Sequence, residues 1–149
     1  MARESAGILM FRRDPDLEVF LAHPGGPFWQ EKDLGAWTIP KGVIEANEDG
    51  LTAAIREFGE ETGITLDPAA AYIDLGAVKQ KSGKVVQAWA TEGDADCSQV
   101  QSNLVQTKWR GQWITVPEVD RCEWFPAVEA MRRVNPAQAE LIVRLAQKL

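Results

Sequence analysis

Histidine, cysteine and tyrosine are scarce in this sequence. Its 149 residues include one histidine, His23, one tyrosine and two cysteines. Because no Cys/His cluster is present, zinc lacks the ligands that it usually has in proteins. Two cysteines outside any CxxC pair exclude a disulfide-rich scaffold, and we expect Cys97 and Cys122 to be reduced thiols.

Long apolar runs and an excess of positive charge are also absent. No stretch approaches the roughly 20 apolar residues of a membrane helix, and the short apolar run near the N-terminus predicts a first strand rather than a signal peptide. Sixteen Lys and Arg against 22 Asp and Glu give a net charge of −6, which does not attract nucleic acid non-specifically. We expect a cytoplasmic protein without membrane or nucleic-acid partners, either a monomer or a homodimer.

The composition is that of a folded globular chain. Hydrophobic residues make up 45% and charged residues 26%, which are ordinary fractions for soluble domains. The length suits one domain, and no repeat or composition shift divides it, so residues 1–149 are expected to form a single domain. The order of strands, one helix, strands and two helices predicts an α+β or three-layer α/β/α arrangement.

Local patterns predict the individual elements. In chain order they are a hairpin of strands at 5–12 and 17–22, a Gly/Pro-rich loop at 23–35, a short extended piece at 36–39, a helix at 49–62 ended by Gly63, strands at 71–80 and 84–91, a loop at 94–102, strand-like pieces within 103–116 broken near Gly111, a strand at 122–125, and two helices with Pro126 and Pro136 as first residues, the second capped by Asn135.

Three glutamates crowd one sector of the predicted helix. Leu51 and Phe58 belong to an apolar stripe that is expected to face a core. At about 100° per residue, Glu57, Glu60 and Glu61 fall roughly 80 to 180° away from Leu51. Clustered like charges are unfavourable on a helix, so this sector is either solvated or holds cations. Carboxylate oxygens are the ligands that Mg²⁺ and Mn²⁺ prefer.

A longer pattern, GX5EX7REUXEEXGU with U a bulky apolar residue, contains this helix. Its specified residues are Gly42, Glu48, Arg56, Glu57, Phe58, Glu60, Glu61, Gly63 and Ile64, and all match. This pattern at 42–64 is the Nudix box, and the chain resembles the Nudix hydrolase family. Gly59 lies inside the helix, where glycine costs up to about 1 kcal/mol relative to alanine, and suggests a close approach of a metal, water or strand.

The resemblance implies a fold and a reaction. The fold would be an αβα sandwich with a mixed sheet, in which the box forms a loop-helix-loop. The reaction would be hydrolysis of a nucleoside diphosphate linked to another group, with Mg²⁺ or Mn²⁺ as cofactor and a small nucleotide as substrate. A cation would neutralise the charge of the diphosphate and orient the attacking water, and a carboxylate would accept the proton.

The resemblance also implies roles for residues of the box. Glu57 and Glu61 would be the main metal ligands, and the carbonyl group of Gly42 would join them. Glu60 would be a further ligand or the catalytic base. Arg56 would hold the loop through a carboxylate such as that of residue 48.

A second segment, PEVDRCEWF at 117–125, is similar to the PExD…W segment of the dinucleoside polyphosphate and RNA 5′-pyrophosphohydrolase branches of the family. By this match, Glu118 would complete the metal site or act as the base. The alternative is a solvated loop carboxylate. Both Glu60 and Glu118 are candidates for the base.

Three lysines are candidates for phosphate binding. Lys41 matches the lysine of the WxxPKG stretch in asymmetric diadenosine tetraphosphate hydrolases. Lys79 and Lys81 alternate along a predicted strand and would share one face, which suits a polyphosphate chain but also an ordinary charged hairpin.

Aromatic side chains flank the loop that leads into the box. Phe28, Trp29 and Trp37 are expected either to stack on a nucleobase or to pack as core or lid residues. His23 begins this loop and is interpreted as a structural histidine whose ring is hydrogen-bonded.

These observations favour a metal-dependent pyrophosphohydrolase acting on nucleoside triphosphates or, preferably, dinucleoside polyphosphates. Two alternatives remain. One is an RNA 5′-pyrophosphohydrolase, and the other is a non-catalytic nucleotide-binding module of the same fold.

Overall fold

The computed structural model describes residues 4–13 and 15–149 of the chain. The strands are β1 (Ser5–Arg13), β2 (Leu17–Pro24), β3 (Lys41–Val43), β4 (Ile73–Lys79), β5 (Val85–Glu92), β6 (Leu104–Trp109), β7 (Gln112–Pro117) and β8 (Val119–Pro126). The helices are α1 (Gly50–Thr62), α2 (Ala127–Arg133) and α3 (Ala139–Lys148), with single 3₁₀ turns at Cys97–Gln99 and Pro136–Gln138.

A mixed sheet forms the centre of the fold. Its strands follow the order β4-β5-β1-β2-β8, and β3 pairs with β1 outside this path. β1 runs parallel to β5, with Gly7 opposite Ala88, and antiparallel to β2, with Phe11 opposite Val19. The mixed sheet confirms the fold that the resemblance implies.

Helices cover both faces of this sheet. Because side chains alternate along a strand, Leu9 of β1 joins a core with Leu141 and Leu145 of α3, whereas Ile8 joins a second core with Phe58 of α1. α2 packs with α3 on the first face. The result is the three-layer α/β/α arrangement that the order of elements predicts.

A separate hairpin, β6–β7, stands outside the sheet. Its two turn residues, Arg110 and Gly111, have φ angles of 51° and 80°. Two successive positive φ angles are typical of the type I′ turn, whose twist matches that of antiparallel strands. The break predicted near Gly111 is therefore this turn.

Several element ends differ from the sequence-based expectation. Pro126 precedes α2 as its N-cap and is not the first helical residue. Asn135 accepts a hydrogen bond from the backbone N–H of Ala137, but it caps the 3₁₀ turn that leads into α3. The strand expected at 122–125 is longer because the pairing with β2 continues to Val119.

None of the helices in the described ranges combines the length and the apolar character that a membrane crossing requires.

Candidate functional site

Three carboxylates from two parts of the chain meet beside the sheet. Oxygen atoms of Glu57, Glu61 and Glu118 lie within 4.8 Å of one another. The first two are one turn apart on α1, and Glu118 lies between β7 and β8. Their convergence brings the box together with the PEVD segment.

Two of these carboxylates are buried in the protein. Glu57 is 8% exposed and Glu61 3% exposed. Burial disfavours the ionised form, so it raises the pKa of Glu57 and raises the pKa of Glu61 to about 9, with further contributions from Glu118. A buried cluster of this kind requires either bound protons or a cation.

The buried face of α1 differs from the predicted one. Phe58 is buried as expected, but Leu51 is only partly buried, as is Ile55 one turn further along the helix. Two alanines and the last threonine of the helix, together with Glu57 and Glu61, complete the buried face. For these two residues the alternative of a solvated sector is wrong, because they lie on the same buried side of α1 as its small alanine side chains.

Strand β3 lies directly against these carboxylates. The backbone N–H of Lys41 donates a hydrogen bond to Oε1 of Glu61 at 3.2 Å. A Cβ atom at Gly42 would overlap the carboxyl group of Glu57, so glycine is required for this close approach. The role of the Gly42 carbonyl group as a metal ligand stays a prediction.

Arg56 joins the loop before α1 to the helix. Its Nε and Nη2 atoms donate to the two carboxylate oxygens of Glu48 at 2.9 and 3.0 Å. Nη1 donates to Glu57 at 2.9 Å and to Glu60 at 3.1 Å, and Nη2 donates to the carbonyl oxygen of Val43 at 3.1 Å. These contacts raise the pKa of Arg56 and lower the pKa of Glu48.

Glu60 lies apart from the cluster. Its side chain is exposed and its carboxylate accepts a hydrogen bond from Arg56. Glu118, not Glu60, is the third member of the carboxylate cluster. The role of Glu60 as a ligand or base therefore stays a prediction.

Asn103 orients Glu118 through a contact that the sequence does not predict. Its Nδ2 donates to Oε1 of Glu118 at 3.0 Å. Its backbone N–H donates to the carbonyl oxygen of Glu60 at 2.8 Å, and its carbonyl oxygen accepts from the N–H of Glu118 at 3.0 Å. Asn103 precedes β6 in a polar loop where no local sequence pattern marks it.

A cavity of about 190 Å³ opens onto the cluster, and its walls include Lys41, Glu61, Glu118 and Trp29. A second cavity of about 340 Å³ shares Lys41 and Trp29 with it. The two cavities are therefore neighbours that share a wall, and the smaller one is lined by two of the candidate metal ligands, Glu61 and Glu118.

The second cavity is basic. Lys81 and Lys84 line it together with Lys41, and the pKa of Lys41 is lowered by burial and by the charge of Lys84. Lys79 is not among the residues that line it. The prediction that Lys79 and Lys81 share one face of a strand is wrong. β4 ends at Lys79, and Lys81 lies in the turn that follows.

Trp37 belongs to the core and does not face the cleft. Its side chain is 1% exposed. The indole ring packs edge-on against His23 and Phe125, with centroid distances of 5.0 and 4.9 Å, and its Nε1 donates to Asp33. The expectation that Trp37 stacks on a nucleobase is therefore wrong, because the ring is enclosed between the sheet and α2.

His23 is the structural residue that the sequence predicts. Its Nε2 donates to the carbonyl oxygen of Lys32 at 2.7 Å, and its Nδ1 lies 2.9 Å from Oδ1 of Asp120. Both ring nitrogens face acceptors. The imidazole therefore connects the start of the 23–35 loop to Lys32 further along the same loop and to Asp120 of β8.

The chemistry of the carboxylate cluster fits a divalent cation. Arg56 supplies positive charge to only one of the three carboxylates, that of Glu57, which accepts a hydrogen bond from it. Three oxygen donors held together at a partly buried site match the ligand preference of Mg²⁺ and Mn²⁺.

Known proteins share the sequence pattern and the fold of this chain. The NUDIX domain model matches residues 1–145. The rat bis(5′-nucleosyl)-tetraphosphatase (asymmetrical) is 29% identical over 136 residues, which cover 87% of this chain and 90% of the relative. An RNA pyrophosphohydrolase of Erythrobacter litoralis is 39% identical over 67 residues, 45% of this chain and 37% of the relative.

A solved structure shares the fold. The binary complex of the C. elegans Ap4A hydrolase superposes with a TM-score of 0.70 at 21% identity and covers 97% of each chain. Three matches to curated relatives span only 23% to 37% of the relatives' own lengths. Because the family model covers nearly the whole sequence and the fold is shared, this chain belongs to the Nudix hydrolase family.

Proposed function

We propose that this chain is a metal-dependent pyrophosphohydrolase that cleaves a phosphoanhydride bond in nucleoside polyphosphates, with dinucleoside polyphosphates as the preferred class. The observation that carries the proposal is the partly buried cluster of Glu57, Glu61 and Glu118 in a cleft that also contains Lys41. The similarity to the rat tetraphosphatase, over most of both chains, supports this substrate class.

Mg²⁺ or Mn²⁺ is the proposed cofactor. Glu57, Glu61 and Glu118 would hold it, together with the carbonyl group of Gly42. When bound, the cation supplies charge neutralisation for the phosphate chain and orients the attacking water.

Lys41 has a binding role in this proposal. Lys41 lines both cavities, and an ammonium group there can contact phosphate oxygens. Lys81 and Lys84 continue the positive charge along the second cavity. These three lysines would hold the phosphate chain that extends away from the carboxylate cluster.

Glu118 is the preferred proton acceptor. The amide group of Asn103 orients its carboxylate, and it faces the cavity beside Glu61. Glu60 instead uses its carboxylate to accept a hydrogen bond from Arg56 and lies outside the carboxylate cluster. We therefore assign proton transfer to Glu118 and a supporting role in the box to Glu60.

The test is hydrolysis of diadenosine tetraphosphate and nucleoside triphosphates with Mg²⁺. Glu61→Gln should lower kcat/KM by at least about a hundredfold, because it removes a charged metal ligand. The matched control is Glu140→Gln, on α3 across the sheet, which should retain full activity. No turnover of any substrate, or equal turnover by the wild type and Glu61→Gln, contradicts the proposal.

The same assay distinguishes the two candidate bases. Glu118→Gln should reduce kcat more than Glu60→Gln does at saturating Mg²⁺. A larger loss in Glu60→Gln would assign proton transfer to Glu60 instead.

RNA 5′-pyrophosphohydrolysis is the second candidate, favoured by the 39% identity to the Erythrobacter litoralis enzyme over 67 residues. The net charge of −6 disfavours it. Triphosphorylated RNA and diadenosine tetraphosphate, compared at equal salt, separate the two. Tight nucleotide binding in calorimetry without cleavage would instead identify a non-catalytic module.

A cytoplasmic location is part of the proposal. Both cysteines, Cys97 and Cys122, are free thiols, as a reducing compartment favours.

A further inference from the structure

Gln138 is a buried polar side chain beside the second cavity, which contains Lys41, Lys81 and Lys84 and which we call the basic cavity. It is 1% exposed and is the last residue of the 3₁₀ turn that leads into α3. Burial of an amide group is costly unless its two donors and its oxygen are paired. All of these groups have partners, and the partners belong to two different walls of the basic cavity.

One wall is the segment that leads into β3. Oε1 of Gln138 accepts a hydrogen bond from the backbone N–H of Ile39 at 2.9 Å, and Nε2 donates to Oγ1 of Thr38 at 2.9 Å. Ile39 precedes Lys41 by two residues, and the backbone N–H of Lys41 donates to Glu61. The contacts of Gln138 therefore hold the backbone that carries Lys41 past the carboxylate cluster.

The other wall is the turn between β4 and β5. Nε2 of Gln138 also donates to Oε1 of Gln80 at 2.9 Å. The backbone N–H of Gln80 donates to the carbonyl oxygen of Lys84, and its carbonyl oxygen accepts from the N–H of Gly83, both at 2.8 Å. Lys81 follows Gln80 directly in the chain. The turn that carries two lysines of the basic cavity is thus attached to Gln138 through one side chain.

The two lysine-bearing segments need such a connection. Within the ranges that the structure describes, β3 pairs with β1 and not with β4 or β5. Like charges repel one another at short range, so the ammonium groups of Lys41, Lys81 and Lys84 do not hold the walls together. A phosphate chain contacts all three lysines only if the walls have a defined spacing.

We infer that Gln138 is a positioning residue for the phosphate chain of the substrate. Its amide group fixes the turn that carries Lys81 and Lys84 relative to Lys41, and it acts through these lysines because its own donors and acceptor are used within the protein. The inference rests on the proposed function, in which the three lysines hold the phosphate chain. Loss of the amide group should weaken phosphate binding and spare the chemical step.

The test is calorimetric binding of inorganic tripolyphosphate with Mg²⁺, together with steady-state kinetics on diadenosine tetraphosphate. Gln138→Met keeps the length of the side chain and removes its hydrogen bonds. This variant should weaken tripolyphosphate binding by about fivefold and raise KM by a similar factor, because the turn lysines are displaced. The value of kcat should change by less than about twofold. Wild-type affinity and KM in Gln138→Met would overturn the inference.

Gln80→Met breaks the same connection from the side of the turn and leaves the contacts of Gln138 with Thr38 and Ile39 in place. It should weaken tripolyphosphate binding by a similar factor. The double variant should bind no more than about twofold more weakly than Gln138→Met, because the two residues act through one contact. Additive losses would overturn the inference. If Gln138→Met does not fold, wild-type affinity in Gln80→Met overturns it.

Thr91→Val is the matched control for stability. Thr91 of β5 is 5% exposed, and its Oγ1 donates to the carbonyl oxygen of Ala71 at 3.0 Å. It is not among the residues that line the basic cavity. This variant also loses a buried hydrogen bond, so Tm should fall in Thr91→Val and in Gln138→Met, whereas only Gln138→Met should lose affinity for tripolyphosphate. An equal loss of affinity in Thr91→Val would overturn the inference.

Failure of the proposed function can be recognised separately, because tripolyphosphate binding requires no turnover. Binding that depends on Gln138 in a protein without hydrolase activity would overturn the hydrolase proposal and support the positioning role. Absence of tripolyphosphate binding by the wild type would overturn the inference, whether or not diadenosine tetraphosphate is hydrolysed.

Discussion

The carboxyl group of Glu57 occupies the space that a side chain at Gly42 would need. The backbone of β3 cannot easily retreat, because Gly42 is paired with Ala6 of β1. The end of the glutamate side chain can rotate away instead. A methyl group at residue 42 would therefore displace the Glu57 carboxylate at little cost to the fold.

Gly42→Ala should separate activity from stability. We expect kcat/KM with Mg²⁺ to fall by about 10- to 100-fold, because a metal ligand is misplaced. The free energy of unfolding should change by less than about 1 kcal/mol. Steady-state kinetics and thermal melting measure the two effects. Wild-type kcat/KM would contradict the role of this contact.

Gly59→Ala should stabilise the protein. Of the close approaches that the sequence suggests at Gly59, that of a strand is not found: among the described residues outside its own helical turn, the nearest atom to an added Cβ is the carbonyl oxygen of Ile64 at 3.7 Å. Alanine within a helix is favoured over glycine by up to about 1 kcal/mol, so Tm should rise by about 3 °C. Turnover should not change.

Gly63→Ala is the matched control for that substitution. Gly63 ends α1 with a φ of 77°, and an added Cβ would lie 3.0 Å from the carbonyl oxygen of Gln101. Alanine is strained at such a φ, so Tm should fall. If both variants shift Tm in the same direction, helix propensity does not explain the effect at residue 59.

The metal-free protein should lose stability as the pH rises. Burial raises the pKa of Glu61 from an ordinary value of 4.5 to about 9. Between these pH values the unfolded chain ionises this group while the native chain retains the proton, so the unfolded state is increasingly favoured. Thermal melting in EDTA from pH 5 to pH 9 measures the decline.

Glu61→Gln should flatten this pH dependence, because glutamine resembles the protonated acid and does not titrate. Saturating Mg²⁺ should also reduce the decline in the wild type, since a cation stabilises the ionised carboxylate. An equally steep decline in Glu61→Gln would assign the pH dependence to other groups.

Asn103→Asp should reduce turnover without unfolding the protein. Aspartate keeps the size of the side chain and the backbone contacts to Glu60 and Glu118, but it cannot donate to the Glu118 carboxylate and adds a like charge. We expect kcat to fall by about tenfold, because the Glu118 carboxylate loses the donor that orients it, while Tm stays close to that of the wild type. Wild-type kcat in this variant would show that Asn103 does not position Glu118.

Local patterns were sufficient for much of the fold. The left-handed conformation of Gly63 ends α1 where the sequence predicts, and the turn at Arg110 and Gly111 divides the strands as expected. These features depend on the helical period and on backbone φ preferences of adjacent residues. The end of the helix and the position of the turn can therefore be inferred from a few neighbouring residues.

Burial and long-range contacts could not be inferred in this way. Trp37 and Trp29 both flank the box in sequence, yet the first is enclosed in the core and the second lines the cleft. Asn103 contacts Glu118 because the end of α1 and the segments before β6 and β8 come together. Such contacts depend on how the sheet and helices pack.

The amino-acid sequence by itself determined the family pattern, the acidic helix and the segment that carries Glu118, because each is a run of adjacent residues. Only the tertiary structure decided that Glu118, and not Glu60, completes the cluster with Glu57 and Glu61. The physical reason is that the helical period fixes the directions of side chains only within α1. Which residue meets them from the segment between β7 and β8 depends on packing between elements that are distant in the chain.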